Sequence, residues 1–474
     1  MYLHLSLFNC LHAQFLQLDC PVVIAAIFIS GIGGTFQYGF GLSVMTSPSG
    51  FIKELVNRTC LQRYSVSLEP WQVSFIWSFT VSIFCIGGLV GSLMAGPLIT
   101  KFGRKRCLLL NNFVAIFGAV LMILSQTATS FEMIMVARLL YGINAGVSLS
   151  AHTIYLVECA PKRLRGMVGV TVATFISLGK FCGQLLGISE LLGTQERWPW
   201  LLGFNGFTAL LQLSTMPLLP ESPRFLLLDR GDRQACEKAL RRLWGNKDHS
   251  MEVEEMLEEK AALQNVRSHS VMELIQNQTV RWQLLTILVT FTALQLCGIN
   301  AFMIIENTGK KVLMLRGYTG MSATVILLTV TLYLQSKISW MPYCSMVLIF
   351  FFIFFFASGP AGVTAPLPGE IFTQSFKSAA YTIACTLNWT GLFVLGMLFP
   401  VLVEKLDYFC FFLFLFFCVG CGLYVKFNVP ETKNQTALEI AAAFQKMHCK
   451  SEESQSKKDT EQKLKGVQIY ETQF

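Results

Sequence analysis

The sequence predicts an all-α membrane protein in which two bundles of helices are joined by a charged cytoplasmic segment. Hydrophobic residues make up 53% of the 474 residues and charged residues only 14%, whereas a soluble domain carries about 25% charged residues. Apolar segments of about 18 or more residues recur along the chain, and each is long enough to cross the hydrocarbon layer as a helix. One long charged stretch, residues 221–282, separates six such segments from the rest.

The apolar segments give eleven predicted spans, six before the charged stretch and five after it. They lie near residues 21–41, 72–99, 108–126, 132–155, 166–188, 199–219, 283–305, 312–334, 341–366, 378–402 and 407–427. The predicted domains are a cytoplasmic N-terminus (1–20), an N-terminal six-helix bundle (21–220), a cytoplasmic helical linker (221–282), a shortened C-terminal bundle (283–430) and a partly disordered cytoplasmic tail (431–474).

Basic residues in the loops orient the predicted spans. Lys and Arg cluster between spans two and three and between spans four and five, and ten more fall in residues 221–282. The positive-inside rule places these loops, and the N-terminus, in the cytoplasm. The loop between spans one and two is then outside, where the sequon at Asn57 could be glycosylated, whereas the sequon at Asn277 is cytoplasmic and stays unmodified. We expect a multi-pass protein of the plasma membrane.

Several classes of function have no support in the sequence. Of fifteen cysteines, eight fall inside the predicted spans, where Cys behaves as a small hydrophobe, and no CxxC pair is joined by a second pair. We therefore expect neither a metal site nor a cofactor. The net charge of +8 reflects basic residues gathered at one membrane face, so no nucleic-acid partner is expected. No nucleophile–base pair or phosphate-binding glycine loop indicates an enzyme.

The cytoplasmic linker is predicted to be helical. Asp232 can cap a helix that continues to about Leu240, and a second helical run covers residues 251–263. A capping box at Ser270 precedes a third, shorter run. Beyond Met447 the tail is rich in Lys, Glu, Ser and Gln without a core-forming pattern, which predicts disorder.

Five short motifs at the predicted membrane boundaries and in span seven carry a resemblance to a known family. They are residues 103–106 (GRKR), 161–166 (PKRLRG), 220–224 (PESPR), 295–300 (QLCGIN) and 430–433 (PETK). Together they resemble the sugar-porter signatures of the facilitative hexose transporters, in the major facilitator superfamily. Residues 36–39 (FQYG) and Ala365 are similar to the fructose-type branch of that family.

The resemblance implies a twelve-helix fold of two six-helix halves, with a sugar site near the membrane midplane and transport by alternating access. It points to five side chains for the sugar: Gln37, Gln295, Asn300, Asn388 and Trp389. Amides suit hexose hydroxyls because each offers donors and an acceptor, and an indole can lie against the apolar face of a sugar ring. The alternative interpretation is that the amides form hydrogen bonds between helices, which is common in membrane bundles.

A second set of residues resembles the charge network at the cytoplasmic side of the family. In the first half it comprises Arg104, Arg138, Glu158, Arg165, Glu221 and Arg224, and in the second half Glu370, Lys377 and Glu431. Pairs that link helix ends across the two bundles would hold the cytoplasmic side shut and release on opening. The alternative is ordinary interfacial charge with little coupling.

The sequence departs from the family pattern at four positions near these sites. Thr100 replaces the acidic or amide residue that usually precedes the basic motif of loop two. Ala173 and Leu294 stand where many relatives present a Gln to the sugar. Lys180 lies inside span five, and two interpretations remain open: it has a functional role, or its side chain extends to the outer membrane interface.

The largest departure follows Asn300. Residues 306–311 (ENTGKK) resemble the family's second cytoplasmic basic motif. Only five residues separate them from Asn300, so about one span and its loop are missing. Because span seven is long enough to cross, we expect Lys310 and Lys311 outside, a second half of mixed or inverted topology, and strongly reduced hexose transport.

Three functions remain in competition. The first is facilitative transport of hexoses such as glucose and fructose, with the sugar and membrane lipid as the only expected partners. The second is a proton-coupled sugar symporter, but such relatives place an Asp where this chain has Gly41, and no Asp or Glu lies between Pro21 and Gly50. The third is a shortened, transport-impaired form or a non-transporting membrane protein.

Overall fold

The structure is a computed structural model that describes most of the chain from residue 21 to residue 447. The described part excludes residues 162–163, 246–248, 265–270, 278–279, 298–309, 336, 339, 357–358, 361, 365–366, 373, 407–408, 433–438, 441 and 445. Where described, the chain is all-helical, as the sequence predicts. Seven of the described helices are long and apolar enough to cross a membrane.

The first compact unit covers Met1–Asn265 and Leu392–Pro400, and the second covers Val266–Gly391 and Val401–Phe474. The helices of the first half are α1 (Pro21–Gly33), α2 (Thr35–Ser43), α3 (Ser49–Tyr64), α4 (Pro70–Phe102), α5 (Arg104–Thr127), α6 (Phe131–Cys159), α7 (Arg165–Leu186) and α8 (Trp198–Thr215). The linker contributes α9 (Arg233–Trp244), α10 (Ser250–Gln264) and α11 (Val271–Gln276). The second half contains α12 (Arg281–Cys297), α13 (Lys310–Leu334), α14 (Met341–Phe356), α15 (Gly362–Thr364), α16 (Leu367–Ile371), α17 (Gln374–Leu406) and α18 (Cys410–Asn428).

Glycines bring the spans of the first half into close contact. A Cβ on Gly87 of α4 would lie 2.1 Å from the carbonyl oxygen of Leu139, and one on Gly142 of α6 would lie 2.1 Å from that of Phe84. Since side chains are absent at this crossing, the two backbones pack directly, which is how small residues drive helix association in a bilayer.

The linker helices form a small core of their own. The side chain of Asp232 accepts a hydrogen bond from the N–H of Ala235 at 2.9 Å, so it caps α9 as predicted. Five buried side chains then close the core between α9, α10 and the π-helical turn Phe225–Asp229: Leu227, Cys236, Leu240, Val253 and Met256. The linker helices are therefore amphipathic: they bury an apolar face against one another although the segment as a whole is rich in charged residues.

Two helices of the second half begin at the same end of α18. The hydroxyl of Thr286, in the second turn of α12, lies 3.3 Å from that of Tyr424 near the end of α18. The N–H of Lys310, the first residue of α13, donates to Glu431 just after α18 at 2.7 Å. Along α13, Tyr318 then packs against Gly422, so α13 runs antiparallel to α18.

This arrangement corrects the predicted topology. Because α12 and α13 both start at one end and both lead away from it, Lys310 lies at the same end as Arg281 and not across the membrane from it. The prediction that Lys310 and Lys311 lie across the membrane from the start of α12 is wrong, since Lys310 and Thr286 both lie near the end of α18. The helix that would return between them is the missing span, and the chain that replaces it, residues 298–309, lies outside the described residues.

Candidate functional site

Gln37 lies on α2, directly after a break in the first membrane span. The break is at Gly34, between α1 and α2, and the N–H of Gln37 donates to the carbonyl of Gly34 at 3.2 Å. The Gln37 side chain is buried, yet neither its Nε2 nor its Oε1 has a hydrogen-bond partner in the described part of the chain. An amide left unpaired in a dry interior is costly, so this side chain is suited to a polar ligand that completes its hydrogen bonds.

His152 is a second buried polar side chain at the same break, and the sequence-based prediction missed it. Its Nδ1 lies 3.2 Å from the hydroxyl of Thr35 on α2, whereas its Nε2 has no partner among the described residues. The only signal in the sequence was a lone histidine in a long apolar segment, which is more often a packed core residue. The structure adds an open hydrogen-bonding position, the Nε2 of His152 on α6, whose ring contacts Thr35, two residues before Gln37 on α2.

The remaining predicted sugar contacts fall on the second half. Trp389 is buried and Asn388 is half-buried, both in the middle of α17. Gln295 lies in the last turn of α12, and its side chain is outside the described residues, as is all of Asn300. Sugar binding by these four residues stays a prediction.

The charged residues of the first half form a compact cluster where α5 begins. Arg104 pairs with Glu158 at the end of α6, with Nε to Oε2 at 2.8 Å and both side chains 13% exposed. The guanidinium of Arg104 also donates to Asp229 and lies over the ring of Phe225, with a Cζ-to-centroid distance of 5.1 Å. Asp229 was not among the predicted residues, because no sequence motif marks it.

Glu221 joins this cluster through the backbone. One of its carboxylate oxygens accepts from the N–H of Lys105 at 2.8 Å and from the N–H of Ser222 at 3.0 Å. The hydroxyl of Ser222 in turn donates to Glu158. A carboxylate at the first turn of α5 satisfies otherwise unpaired N–H groups and matches the positive end of the helix dipole. The structure thus brings Arg104, Glu158 and Glu221 together.

Glu431 makes the equivalent contact in the second half. It accepts from the N–H of Lys310 at 2.7 Å, from that of Lys311 at 3.2 Å and from that of Thr432 at 3.1 Å. The proline-glutamate motif after the last helix of each half therefore binds the first turn of a helix that opens with a basic motif.

Arg138 does not belong to the cluster at the start of α5, and the structure corrects its place. It lies twenty residues before Glu158 on α6, which is about 30 Å along the helix. Its guanidinium is 2% exposed, donates to the carbonyls of Gly41 at 2.6 Å and Val81 at 3.0 Å, and lies 4.5 Å from the ring centroid of Phe84. Its partners are backbone oxygens and a ring, so it fastens α2 and α4 to α6.

The other members of the predicted network are only partly described. Arg224 is half-buried after the 220–224 motif. Arg165, Glu370 and Lys377 lie on α7, α16 and α17, and their side chains are outside the described residues. Their roles stay predictions.

Lys180 lies on a polar face of α7. Ser177 and Gln184 are one turn from it on either side and are exposed, and Ala173 lies on the same face. The adjacent exposed positions are Leu178, Phe181 and Leu185, which are apolar. Since lipid contacts favour the apolar face, the face with Lys180 is the one suited to line a water-filled pathway.

Asn57 is exposed on α3, a helix in the loop that was predicted to lie outside. The hydroxyl of Thr59, which completes the sequon, is buried and donates to the carbonyl of Leu55 at 2.8 Å. Glycosylation at Asn57 stays a prediction.

Comparisons with known proteins agree on one family. The profile described as "Sugar (and other) transporter" matches residues 26–308 and 301–444, two segments that overlap at residues 301–308, just after Asn300. Facilitated glucose transporter member 9 from Mus musculus is 41% identical over 463 residues, covering 90% of this chain and 86% of that protein. Member 11 from Homo sapiens is 39% identical over 464 residues, covering 90% of this chain and 94% of that protein.

Solved structures share the fold. The inward-open xylose transporter XylE from E. coli superposes with a TM-score of 0.72 at 20% identity, covering 89% of this chain and 99% of that chain. Another XylE structure, described as a proton:xylose symporter of the major facilitator superfamily, gives a TM-score of 0.67. The chain therefore has the major facilitator fold of a multi-pass membrane protein and belongs to the sugar transporter family, whose members are transporters and not enzymes.

Proposed function

We propose that this chain is a facilitative hexose carrier of the plasma membrane, which moves sugars such as glucose and fructose down their gradient by alternating access. The relatives at about 40% identity are facilitated glucose transporters. XylE, at 20% identity, is in contrast a xylose transporter that is described as a proton symporter. The family match supports sugar transport, and the surroundings of Arg138 support the absence of proton coupling.

The observation that carries the proposal is the contact between Arg138 and Gly41. Proton-coupled relatives are expected to place a carboxylate at this position of the first span. Here the position is glycine, and the buried guanidinium donates to the glycine carbonyl at 2.6 Å. A Cβ on Gly41 would point toward Phe84, 3.1 Å away, whose ring lies under the same guanidinium. A proton-binding group is therefore absent from the place where its charge would meet Arg138.

The first half supplies two further elements that the proposal uses. The buried amide of Gln37 has unmet hydrogen bonds that sugar hydroxyls can satisfy. The cluster of Arg104, Glu158 and Glu221 ties the ends of α5, α6 and α8 together. A half that is tied at its cytoplasmic end can rock as one body, which alternating access requires.

The test is uptake of labelled hexose into proteoliposomes, with and without an imposed proton gradient. We expect flux to follow the sugar gradient and to ignore the proton gradient. The variant Gly41→Asp should create a carboxylate beside Arg138 and make uptake depend on external pH, while Gly41→Asn, of the same size, should not. Uphill accumulation by the parent protein under an acid-outside gradient would contradict the proposal.

One observation favours a second candidate, a transport-impaired form. Because α12 and α13 run in the same direction from one end, a helix of the family fold is missing between them. The missing helix would remove part of the sugar site in the second half. Uptake measured beside a full-length relative, at matched protein density, separates the two: a rate within a few-fold of the relative supports the carrier, and a rate at background supports the impaired form.

A further inference from the structure

A cavity of about 280 Å³ opens beside the charge cluster, at the end of the first half that was predicted to be cytoplasmic. Three cationic side chains line it: Lys105 and Arg106 in the first turn of α5, and Arg230 after the π-helical turn. Its opposite wall is apolar and includes Leu109, Pro217 and Leu226. The sequence-based prediction assigned no role to this combination, and the sugar pathway does not use it.

The cavity carries uncompensated positive charge. Its one carboxylate, Glu221, already accepts from the backbone N–H groups of Lys105 and Ser222. Arg106 is exposed and has no hydrogen-bond or ion-pair partner among the described residues. Arg230 is exposed as well, and its guanidinium lies over the ring of Phe225 at 5.5 Å. Two guanidinium groups are thus directed to one cavity without a described anion, and guanidinium binds phosphate with two parallel hydrogen bonds.

The apolar wall indicates what kind of anion fits. It continues onto the outer surface of the bundle, where Leu218 is 67% exposed and Leu110 48% exposed. Large apolar side chains exposed on the flank of a membrane bundle face acyl chains. A soluble anion would use only the guanidinium groups, whereas a phospholipid uses these and the apolar wall together.

The depth of the cavity agrees with that occupant. It lies at the start of α5, a helix long and apolar enough to cross a membrane, and just after the end of α8. The end of a membrane-crossing helix reaches the lipid head groups, and the cytoplasmic leaflet is the anionic one. Basic pockets between helix ends on this side are a known mode of binding lipid phosphates.

We propose that this cavity binds the phosphorylated head group of an anionic phospholipid, held by Arg106 and Arg230, with its acyl chain along the apolar wall. Bound lipid would bridge the start of α5 and the segment that leads into the linker. It would therefore stabilise the same junction that Asp229 and Arg104 hold by their ion pair.

The test uses the full-length protein in detergent and a short-chain fluorescent phosphatidylinositol bisphosphate, with binding read by anisotropy. We expect saturable binding to the parent protein. Arg106→Gln and Arg230→Gln should each weaken it about fivefold and the double variant about 25-fold, since each cation near a lipid surface contributes about 1 kcal/mol. Lys101→Gln is the matched control: it removes an exposed charge from the same face but outside the cavity, and should leave the affinity within twofold.

Two outcomes would overturn the proposal. If Lys101→Gln weakens lipid binding as much as the arginine variants do, the basic face of the protein attracts anionic lipid by its charge alone, without a specific site. Equal affinity for soluble inositol trisphosphate and for the lipid would mean a free-phosphate site, because the apolar wall would then add nothing. Size-exclusion profiles and melting temperatures of the two single variants, one on α5 and one outside the spans, exclude loss of folding as the cause.

Discussion

The two halves of the chain share one contact and differ in what surrounds it. In the first half Glu221 accepts from the N–H of Lys105 at 2.8 Å, and in the second half Glu431 accepts from the N–H of Lys310 at 2.7 Å. Around Glu221 the structure adds a second layer, in which Ser222 and Glu158 join Arg104. Around Glu431 the helix that should precede α13 is missing.

This difference shows that the contact between a glutamate and a helix N-terminus, which both halves have, does not depend on a full set of helices. Its geometry needs only a helix N-terminus and a proline-glutamate motif after the preceding helix, with the proline two residues after α18 and five residues after α8. The proposed sugar site is more demanding, because its predicted residues come from both halves. A chain can therefore keep the contacts at the helix ends in both halves even where a helix that would contribute to the proposed site is missing.

The largest expected effect comes from restoring the missing helix. Inserting the corresponding span and loop of a full-length relative after Asn300 adds about 20 apolar residues plus a short loop. We expect hexose uptake in proteoliposomes to rise to the level of that relative, because the insertion would restore the part of the sugar site that the missing helix supplies. An insertion of the same length and a scrambled sequence is the control.

If the scrambled insertion restores uptake equally, spacing alone was limiting and the site was complete. If neither insertion changes uptake, and the parent protein already transports, the missing helix is not needed for the site.

The second largest effect is expected from breaking the ion pair of Arg104 and Glu158, which is part of the layer of contacts that only the first half has. Glu158→Gln leaves Arg104, 13% exposed, with Asp229 as its remaining carboxylate. Breaking a buried pair costs about 3–5 kcal/mol, and the residual exposure and the second partner reduce this to about 2–3 kcal/mol. We expect a melting temperature lower by about 5–10 °C in detergent.

The matched control is Glu237→Gln. Glu237 pairs with Arg233 at 3.2 Å one turn away on α9, with side chains 39% and 54% exposed. An exposed pair of this kind contributes about 0.3–0.5 kcal/mol. Equal shifts for the two variants would show that the cluster at Arg104 is only interfacial charge, which is the alternative that the sequence left open.

The third prediction compares the loss of the glutamate contact at the helix N-terminus in the two halves. Glu221→Gln and Glu431→Gln each leave one acceptor in place of a carboxylate at a helix N-terminus, so each should cost about 1–2 kcal/mol. We expect the two shifts in melting temperature to agree within a few degrees. A much smaller shift for Glu431→Gln would show that the second half does not hold its helix end as the first half does.

The sequence predicted the all-helical fold and the grouping at the charge motifs because both follow from local pattern. Apolar length sets the helices, and the basic and proline-glutamate motifs mark their ends, so Arg104, Glu158 and Glu221 could be grouped in advance. Arg138 was misplaced because charge alone does not tell which end of a long helix a residue occupies. Asp229 and His152 were missed because their roles arise from packing between elements distant in sequence. The direction of α13 was missed for the same reason, since Thr286 and Tyr424 meet only in the fold.

The smallest effect tests whether the linker packs as closely as the first half to which it is joined. Cys236 is fully buried on α9, and burial raises the pKa of its thiol to about 11 because the thiolate is disfavoured away from water. At pH 8 only about 0.1% is thiolate, compared with about 10% at the ordinary value, so maleimide should label it at least about 100-fold more slowly than an exposed cysteine. The control is Lys238→Cys, exposed on the opposite face of the same helix, in a chain where Cys236 is replaced by Ala. Raising the pH toward 11 should speed the labelling of Cys236. Similar rates for the two positions at pH 8 would mean that α9 opens from its core on the time scale of the reaction, and that the linker is held less firmly than the helices whose ends it contacts.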